Sequence, residues 1–412
     1  MIDVVTFGCR LNAYESEVIR SNATKAGLAD AIVVNTCAVT AEAERQARQT
    51  IRRLRRERPT AKLIVTGCAA QITPARYAEM DEVDAVVGNE EKMLPETFSQ
   101  LGEAPLVGDI MAVSETAGHL IEGFEGRSRA FLQVQNGCDH RCTFCIIPFG
   151  RGPSRSVPVD DVIAQSQRLY ENGYREIVLT GVDIGDYGKD FSAPVAMADL
   201  VGALLSALPA DMRVRITSID PMEVSPRLID LYARDQRLQP HWHLSVQSGD
   251  DMVLRRMARR HRRADVVRVA ADLRAVRPDT VIGADFIAGF PTETEAQTAN
   301  TLALVEEADL ALLHVFPYSA REGTAAAKMP SWPKAVRRER AAALRAAGTR
   351  QRNATFARFV GREVDAVIEE PGLARTAHYL AASLDADAAP GAWVQLSITG
   401  HTDDSLVGTI ND

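Results

Sequence analysis

Residues 135–145 read Gln135-Asn136-Gly137-Cys138-Asp139-His140-Arg141-Cys142-Thr143-Phe144-Cys145, and this stretch places three cysteines at the spacing C-x3-C-x2-C. Three thiolates can hold three irons of a 4Fe–4S cluster and leave the fourth iron free to bind a small molecule. The bacterial ferredoxin run differs, because it is C-x2-C-x2-C and continues to another cysteine. Zinc is the alternative, but it normally takes four ligands. No fourth cysteine lies nearby, although His140 could be proposed.

Features around these cysteines resemble the radical S-adenosylmethionine (SAM) superfamily. They are the spacing itself, the aromatic Phe144 just before the last cysteine, and the apolar strand that precedes the stretch. The resemblance implies that the open iron binds the amino and carboxylate groups of SAM, and that Phe144 lies near the adenine. The predicted metal ligands of this site are Cys138, Cys142 and Cys145.

Length and composition predict a soluble protein of several domains. The chain has 412 residues, which is too long for one ordinary hydrophobic core. Hydrophobic residues make up 46% and charged residues 25%, as in soluble globular proteins. No apolar run reaches the roughly 18 residues of a membrane helix, and the N-terminus has no signal-peptide layout. We therefore expect a cytoplasmic protein without a membrane partner, in which the six cysteines serve metal binding or catalysis rather than disulfides.

The charge is unevenly distributed. The net charge of −8 argues against nucleic-acid binding, but residues 45–62 carry eight Lys and Arg, residues 255–263 carry six, and residues 334–358 carry eight. An acidic protein with concentrated basic segments can still present a phosphate-binding face. The alternative for each segment is an ordinary solvated helix face.

Three further cysteines follow successive predicted strands near the N-terminus. Strands are predicted near residues 4–7, 31–34, 63–66 and 85–87, with helices near 13–26 and 41–57, and this alternation predicts a parallel sheet. Cys9, Cys37 and Cys68 then meet at one sheet edge, where ligands bind in such folds. We interpret them as ligands of a second 4Fe–4S cluster with an open iron. The small or glycine neighbours that would let backbone amides approach it are Gly8, Thr36 and Gly67.

The residues around these cysteines resemble a specific family. Gly8-Cys9-Arg10-Leu11-Asn12, Asn35-Thr36-Cys37-Ala38-Val39-Thr40 and Thr66-Gly67-Cys68-Ala69-Ala70-Gln71 are similar to the N-terminal domain of the radical SAM methylthiotransferases. Within that family they resemble the branch that acts on N6-threonylcarbamoyladenosine in tRNA. The resemblance extends over nearly the whole chain.

The central region predicts a partial (β/α)6 barrel. Six strands are expected near residues 131–134, 176–180, 213–217, 241–246, 281–287 and 310–316, each followed by a helical pattern. Its chemistry should lie at the carboxyl ends of the strands, as in closed barrels. The resemblance implies that SAM is surrounded there by Thr180, Gly181, Asp183, Ser218, Asp220, Gln247, Asp285 and Phe316, together with Phe144.

A basic helix near residues 334–353 leads to a β-rich tail. Strands near 363–369, 376–383, 393–399 and 405–409 resemble the TRAM domain, a small barrel that delivers RNA in this family. The tail has few basic residues and an acidic turn at 385–387, so the helix is the better RNA candidate, through Arg337, Arg338, Arg340 and Arg345. The predicted domains are residues 1–105, 128–330 and 354–412: an N-terminal flavodoxin-like sheet, the radical SAM barrel and a TRAM-like β-barrel.

The resemblance implies methylthiolation at C2 of N6-threonylcarbamoyladenosine, at position 37 beside the tRNA anticodon. One SAM methylates sulfur held at the N-terminal cluster, and another yields a 5′-deoxyadenosyl radical that removes the C2 hydrogen. An electron donor such as flavodoxin or ferredoxin and a sulfur donor are then required. Anticodon-loop bases are accessible to such chemistry because they can be splayed out. The substrate carboxylate needs a cation, for which Arg10 and Arg321 are candidates, although either could instead form an ordinary ion pair.

Other functions remain open. The isopentenyladenosine branch and the ribosomal-protein branch of the same family are two of them, and a non-enzymatic iron–sulfur electron carrier or RNA-binding protein is a third. The basic segments speak against a protein substrate. The polar strand ends speak against a carrier, which needs no SAM pocket.

Overall fold

The computed structural model describes residues 2–102, 104–115, 121, 123–124, 126–385 and 388–411. Its first unit is a four-stranded parallel sheet in the order β1-β2-β3-β4, which confirms the predicted α/β layer. Every residue of the second strand is buried, because helices cover both sheet faces. The strands are Ile2–Thr6 (β1), Ala31–Thr36 (β2), Lys62–Gly67 (β3) and Ala85–Val86 (β4), and the helices are Arg10–Lys25 (α1), Ala41–Glu57 (α2), Cys68–Ile72 (α3) and Pro74–Ala78 (α4).

The central unit is a six-stranded open barrel flanked by a short ribbon. Two parallel three-stranded sheets, β5-β8-β9 and β10-β11-β12, are joined by bridges from Val214 to Leu238 and from Ile219 to Leu244. The strands are Ala130–Gln133 (β5), Gln135–Asn136 (β6), Arg155–Ser156 (β7), Glu176–Thr180 (β8), Arg213–Ile216 (β9), His241–Gln247 (β10), Val281–Ala288 (β11) and Leu310–Pro317 (β12). The helices are Ile147–Arg151 (α5), Val159–Glu171 (α6), Met197–Ala207 (α7), Pro226–Arg234 (α8), Asp251–Arg256 (α9), Arg263–Val276 (α10) and Glu295–Glu307 (α11).

A 26-residue helix, Lys334–Phe359 (α12), connects the open barrel to a closed five-stranded β-barrel. The helix packs on β12 and buries Leu344 and Phe356. The strand order of the small barrel is β13-β14-β15-β17-β16. Its strands are Glu363–Glu370 (β13), Leu373–Thr376 (β14), Ala381–Leu384 (β15), Trp393–His401 (β16) and Leu406–Ile410 (β17).

One predicted strand of the tail is wrong. The pattern over residues 376–383 predicts a single strand, but a turn over residues 377–380 separates β14 from β15. Tyr379 adopts a left-handed backbone with φ of 67°. The turn is closed by Tyr379 N–H donating to the carbonyl of Thr376 at 2.8 Å and by Thr376 N–H donating to that of Leu380 at 2.9 Å. Alternation alone cannot reveal such a turn, because its residues are as apolar as those of a strand. Asp387 of the predicted acidic turn lies outside the described residues.

This turn enters the base of the open barrel. There Arg215 and Glu176 form a fully buried ion pair at 2.6 Å, and Arg215 also donates to the carbonyl of Ala377 at 3.0 Å. The ring of Tyr379 stacks on His241 with 4.7 Å between centroids. The small barrel therefore supplies part of the interior of the central one.

None of the helices in the described ranges has the length and apolar character needed to cross a membrane.

Candidate functional site

The three N-terminal cysteines lie at adjacent strand ends. Cys9 caps α1 just after β1, Cys37 follows β2 directly, and Cys68 begins α3 at the end of β3. The parallel register pairs these three strands side by side, so the thiols meet at one sheet edge as predicted. Cys9 is exposed, whereas Cys37 and Cys68 are buried within the cavity wall.

Two glycines make room at this edge. Gly8 has a φ of 96°, and a Cβ built there would lie 2.9 Å from the sulfur of Cys37. Gly67 has a φ of 95°, and its Cβ would lie 2.4 Å from the backbone N and O of Thr36. Only glycine satisfies both the left-handed backbone and the lack of space. The space beside the Cys37 sulfur is therefore maintained by a missing side chain, as a cluster site requires.

A buried arginine from the central unit completes this edge. Arg151 ends α5, six residues after Cys145, and its Nε donates to the sulfur of Cys68 at 3.1 Å. Its two Nη atoms bond Glu15, whose Oε2 also accepts from Lys92 Nζ at 2.6 Å. These three charged side chains are at most 2% exposed. Sequence reasoning missed this network, because its members lie 77 and 136 residues apart.

The pair of cations around Glu15 leaves one net positive charge beside the thiols. Burial first and the neighbouring Cys68 second raise the pKa of Cys37 to about 12. A free thiol at this edge is therefore protonated at neutral pH, and a metal must displace that proton to bind the thiolate. A guanidinium that donates to Cys68 offsets part of the thiolate charge that such binding creates.

The central cysteines lie on a single loop between β6 and α5. Cys138 N–H donates to the carbonyl of Gly152 at 3.1 Å, and Thr143 N–H donates to that of Met257 at 3.0 Å. Arg259 donates from Nη1 to the sulfur of Cys142 at 3.6 Å and from Nη2 to Asp220 at 2.7 Å. The loop is thus fixed by backbone bonds at both ends and faces its own buried cation.

His140 does not fit the alternative of a zinc ligand. Its Nε2 lies 2.9 Å from carboxylate oxygens of both Asp183 and Asp186. Hydrogen bonds to these two carboxylates raise the pKa of His140 to about 10. The imidazole is thus grouped with two carboxylates rather than with the thiols, and the loop offers three thiols as its ligand set.

One cavity of about 670 Å³ joins the two cysteine sets. Cys9, Cys37 and Cys68 line one side, and Cys145 lines the other. Among the residues predicted to surround SAM, seven line this cavity: Phe144, Thr180, Gly181, Ser218, Gln247, Asp285 and Phe316.

Asp183 and Asp220 were predicted to surround SAM as well, but they lie beside this cavity rather than on its wall. Asp183 is paired with His140, and Asp220 is paired with Arg259 and His261.

Two of the cavity residues have an unusual backbone. Ser218 has a φ of 55° and Gln247 a φ of 68°, although neither is glycine. Both lie at the carboxyl end of a barrel strand, Ser218 two residues after β9 and Gln247 at the end of β10. Such strain typically persists where the backbone serves a ligand. This geometry supports the predicted role of both residues in binding SAM.

A histidine–aspartate–histidine group at the cavity wall was not predicted from the sequence. Oδ1 of Asp285 lies 2.9 Å from Nε2 of His243 and 3.1 Å from Nδ1 of His314. Although burial acts to raise it, the pKa of Asp285 is lowered by the two imidazoles. Asp285 and His314 are register partners on β11 and β12, whereas His243 on β10 pairs with Gly283, two residues before Asp285. The group therefore depends on strand register, which the sequence alone does not give.

The four arginines predicted to bind substrate lie in different environments. Arg10 lines the cavity. Arg321 forms an ion pair with Glu44, both side chains being about one-tenth exposed. Arg337 donates to the carbonyl of Tyr318, and Arg338 is exposed on α12.

The basic segments are largely paired within the protein. Arg340, expected on the RNA-binding face of α12, is buried against Glu293 at 3.1 Å, and that expectation is wrong for this residue. In the segment 255–263, Arg260 pairs with Glu223 at 2.9 Å and Arg263 pairs with Glu307. On α2, Arg45 pairs with Glu42. Much of the apparent positive charge is therefore neutralised, which narrows the set of side chains free for phosphate.

Two family models match the chain. The Radical SAM superfamily model matches residues 132–305, and that of Uncharacterized protein family UPF0004 matches residues 1–88. Together they contain both cysteine sets.

Curated relatives extend across most of the chain. Threonylcarbamoyladenosine tRNA methylthiotransferase MtaB of Rickettsia prowazekii is 49% identical over 398 residues, covering 97% of this chain and 94% of that protein. The protein of the same name from Thermotoga maritima is 38% identical over 354 residues, covering 82% and 80%. The one from Aquifex aeolicus is 32% identical over 392 residues, covering 91% and 94%.

Solved structures share the fold at low identity. The radical S-adenosylmethionine methyltransferase TsrM from Kitasatospora setae superposes with a TM-score of 0.56 at 13% identity, over 77% of this chain and 74% of that one. The cobalamin-dependent SAM radical enzyme OxsB gives 0.51 at 11% identity, over 83% and 55%. These likenesses concern the fold alone.

Proposed function

The chain belongs to the radical SAM methylthiotransferase family that modifies tRNA, and we propose that this enzyme acts on N6-threonylcarbamoyladenosine. The reaction places a methylthio group at C2 of the adenine, at position 37 beside the anticodon. The relatives that carry this substrate in their names cover 82–97% of the chain.

The observation that carries the proposal is a cavity that cysteines of both sets line. A transfer that needs hydrogen removal at one site and sulfur delivery at another requires both to reach the same carbon. The wall of the cavity includes Cys145 from one set and Cys9, Cys37 and Cys68 from the other. A base held between them is within reach of both.

We propose that each cysteine set holds a 4Fe–4S cluster, the second of them at the N-terminal edge. Three features fit that group: three thiols, the space that Gly8 leaves beside Cys37, and the buried cation at Cys68. When bound, SAM and the two clusters supply the radical that removes the C2 hydrogen and the methylthio sulfur that replaces it.

The role of this chain's own residues is to bind and orient SAM and the substrate base. Phe144 packs against a buried apolar cluster that contains Val253, Met257 and Phe290, which restricts its position beside Cys145. The proposed SAM contacts are the polar and strained residues at the strand ends. Val39 and Phe316 remain 45% and 40% exposed although they line a cavity, and such apolar surfaces suit a flat purine. We assign both to the substrate base, and Phe316 thereby moves from the SAM contacts that the sequence predicts to the base contacts.

Two further partners follow from the balance of the reaction. Cleavage of SAM to a radical consumes one electron, and the product gains a sulfur atom that SAM does not supply. An electron donor of the flavodoxin or ferredoxin type and a sulfur donor must therefore act with the enzyme.

Two tRNAs tested in parallel decide the substrate. Anaerobically reconstituted enzyme is incubated with tRNA carrying either N6-threonylcarbamoyladenosine or N6-isopentenyladenosine, and the nucleosides are separated by mass. We expect the 2-methylthio form of the former only. Turnover of the isopentenyl tRNA alone would overturn the substrate assignment and leave the two-cluster chemistry in place. Loss of the 2-methylthio threonylcarbamoyl nucleoside from tRNA of a deletion strain is the matching result in cells.

Iron analysis tests the two clusters. The reconstituted chain should hold about eight irons, and replacement of Cys138, Cys142 and Cys145 by Ala should leave about four. A wild-type chain with about four irons, or one that takes up zinc instead, would refute the second cluster.

A further inference from the structure

Arg10 differs from the other arginines around the cavity. Arg151 is paired with Glu15, Arg321 with Glu44 and Arg259 with Asp220. Within the described residues, by contrast, Arg10 has no carboxylate oxygen within 4.0 Å, and its hydrogen bond goes to a phenol. Nη2 of Arg10 donates to the hydroxyl of Tyr379 at 3.1 Å. The cavity wall thus holds one guanidinium whose charge no carboxylate of the described chain balances.

The surroundings of Tyr379 are rich in positive charge. The guanidinium carbons of Arg10, Arg129, Arg215 and Arg375 lie 5.0–5.7 Å from the centre of its ring. Although burial acts to raise it, the pKa of Tyr379 is lowered to about 8 by Arg10, Arg129 and Arg215. Glu176 pairs with Arg215, and Glu369 pairs with both Arg129 and Arg375, so the four guanidinium groups face two carboxylates. An anion that entered the cavity beside Arg10 would meet the positive charge that these carboxylates leave unbalanced.

His314 offers a second polar contact on the same wall. Its side chain is 55% exposed, it lines the cavity, and its Nδ1 is held by Asp285. With Nδ1 committed to that carboxylate, Nε2 is the ring atom left to meet a ligand. A series of ring contacts connects His314 to the phenol that Arg10 binds: the ring of His314 lies 4.6 Å from that of His243, which lies 6.4 Å from that of His241, on which Tyr379 stacks.

We propose that Arg10 and His314 form the receptor for the carboxylate of the substrate's N6 side chain, an inference that rests on the proposed substrate. Tyr379 and Asp285 are positioning residues, which fix the guanidinium and the imidazole. A planar guanidinium binds a carboxylate through two parallel hydrogen bonds, which an ammonium cannot reproduce. An isopentenyl group would leave the arginine desolvated and unpaired, so the receptor also explains rejection of that analogue.

The receptor joins all three units of the chain. Arg10 begins α1 directly after Cys9, His314 lies on β12, and Tyr379 lies in the turn between β14 and β15. The small C-terminal barrel thereby takes part in substrate choice without touching the reacting carbon.

Comparing the substrate with its methyl ester measures the contribution of the substrate carboxylate alone. An anticodon stem-loop RNA carrying N6-threonylcarbamoyladenosine is compared with the same RNA as its methyl ester. Wild-type enzyme should prefer the acid on the order of 100-fold in kcat/KM, mostly through KM, because charge-assisted hydrogen bonds have about that effect. Arg10→Gln should reduce the ratio to near one. Arg10→Lys should restore part of it, since the charge returns without the second parallel bond. His314→Gln and Tyr379→Phe should give intermediate ratios.

Three readouts keep the outcomes distinct. Iron content and formation of 5′-deoxyadenosine without RNA must match wild type in each variant, which shows that Arg10→Gln has not disturbed Cys9. An unchanged acid-to-ester ratio in Arg10→Gln overturns the receptor. If the acid-to-ester ratio falls instead in the double variant Arg321→Gln/Glu44→Gln, the substrate carboxylate binds Arg321, and this outcome also overturns the receptor. Failure of wild type to modify either RNA refutes the proposed substrate itself.

Discussion

Each of the two cysteine sites presents three thiols, but the two sites are built in opposite ways. The central cysteines lie within eight residues on one loop, whereas the N-terminal cysteines come from three strand ends about thirty residues apart. Each site faces one arginine that donates to a sulfur, Arg259 at 3.6 Å in the central site and the buried Arg151 at 3.1 Å in the N-terminal site. Arg259 belongs to the same barrel as its loop, but Arg151 reaches the N-terminal sheet from another unit. The N-terminal site is therefore complete only when the two units are docked.

Removing each set of thiols gives the largest expected effect. Replacement of Cys9, Cys37 and Cys68 by Ala should abolish the methylthio product and leave reductive SAM cleavage in place, because only the central loop has the spacing for SAM. Replacement of the central three should abolish both. Mass analysis of 5′-deoxyadenosine and of the RNA nucleosides measures the two outcomes. A folded N-terminal variant that no longer forms 5′-deoxyadenosine would contradict this division.

The two arginines provide a sharper test of the comparison. Arg151→Met leaves Glu15 buried with Lys92 alone, and loss of one partner of a buried pair typically costs about 3–5 kcal/mol. We expect a lower midpoint of thermal unfolding and about four irons instead of eight. Arg259→Met should deplete the central site instead, since it removes the guanidinium that donates to Cys142 and one of the two partners of Asp220.

Iron content in the two triple-alanine backgrounds assigns each arginine to its site. Arg151→Lys retains the charge and should keep most of the N-terminal iron. If either arginine variant depletes both sites equally, the two sites do not depend on separate cations.

A smaller effect is expected at Gly8. Gly8→Ala forces a residue with Cβ into a left-handed backbone, at about 1–3 kcal/mol, and places that Cβ against Cys37. N-terminal iron should fall while central iron is retained. Gly27→Ala is the matched control, because Gly27 also has a positive φ, of 76°, but open space beside it. Equal iron in the two variants would mean that the space beside Cys37 is not needed.

The smallest effect should arise outside both sites. Arg338 and Arg350 are exposed on α12, and neutralising both to Gln should weaken tRNA binding and reduce the salt slope by about one per lost phosphate contact. Iron at both sites should not change. Arg352 and Arg358 are the control pair on the same helix, since Asp404 and Asp309 already neutralise them. An identical salt slope in the two double variants would return α12 to an ordinary solvated face.

Much of the fold was predictable because its signals are local. The alternation of strands and helices gives the parallel sheet and the open barrel, and both cysteine sets follow from spacing and from strand ends. The roles of the six cysteines stay predictions until iron content and RNA products are measured. The domain limits also stay predictions.

What the sequence did not reveal depends on long-range contacts. Arg151 looks like any helix-end arginine until Glu15 and Cys68 are placed beside it, and Arg340 looks exposed until Glu293 covers it. The pairing of other basic residues with carboxylates on distant elements has the same origin. Patterns along one element show which face is polar, but not which charge of another element lies against it.

The turn between β14 and β15 has a consequence for how the chain is assembled during synthesis. All six strands of the open barrel leave the ribosome before residues 376–380 do. The guanidinium of Arg215 and the ring of His241 therefore lack their contacts with Ala377 and Tyr379 until that turn has been synthesised. Until then the base of the barrel stays open to water, and the charge pair of Arg215 and Glu176 is hydrated rather than enclosed. Oxygen-sensitive iron would meet an unsealed interior if it were loaded at that stage. We therefore expect stable iron loading only in chains whose C-terminal barrel, the last part to be synthesised, has closed the base of the open barrel.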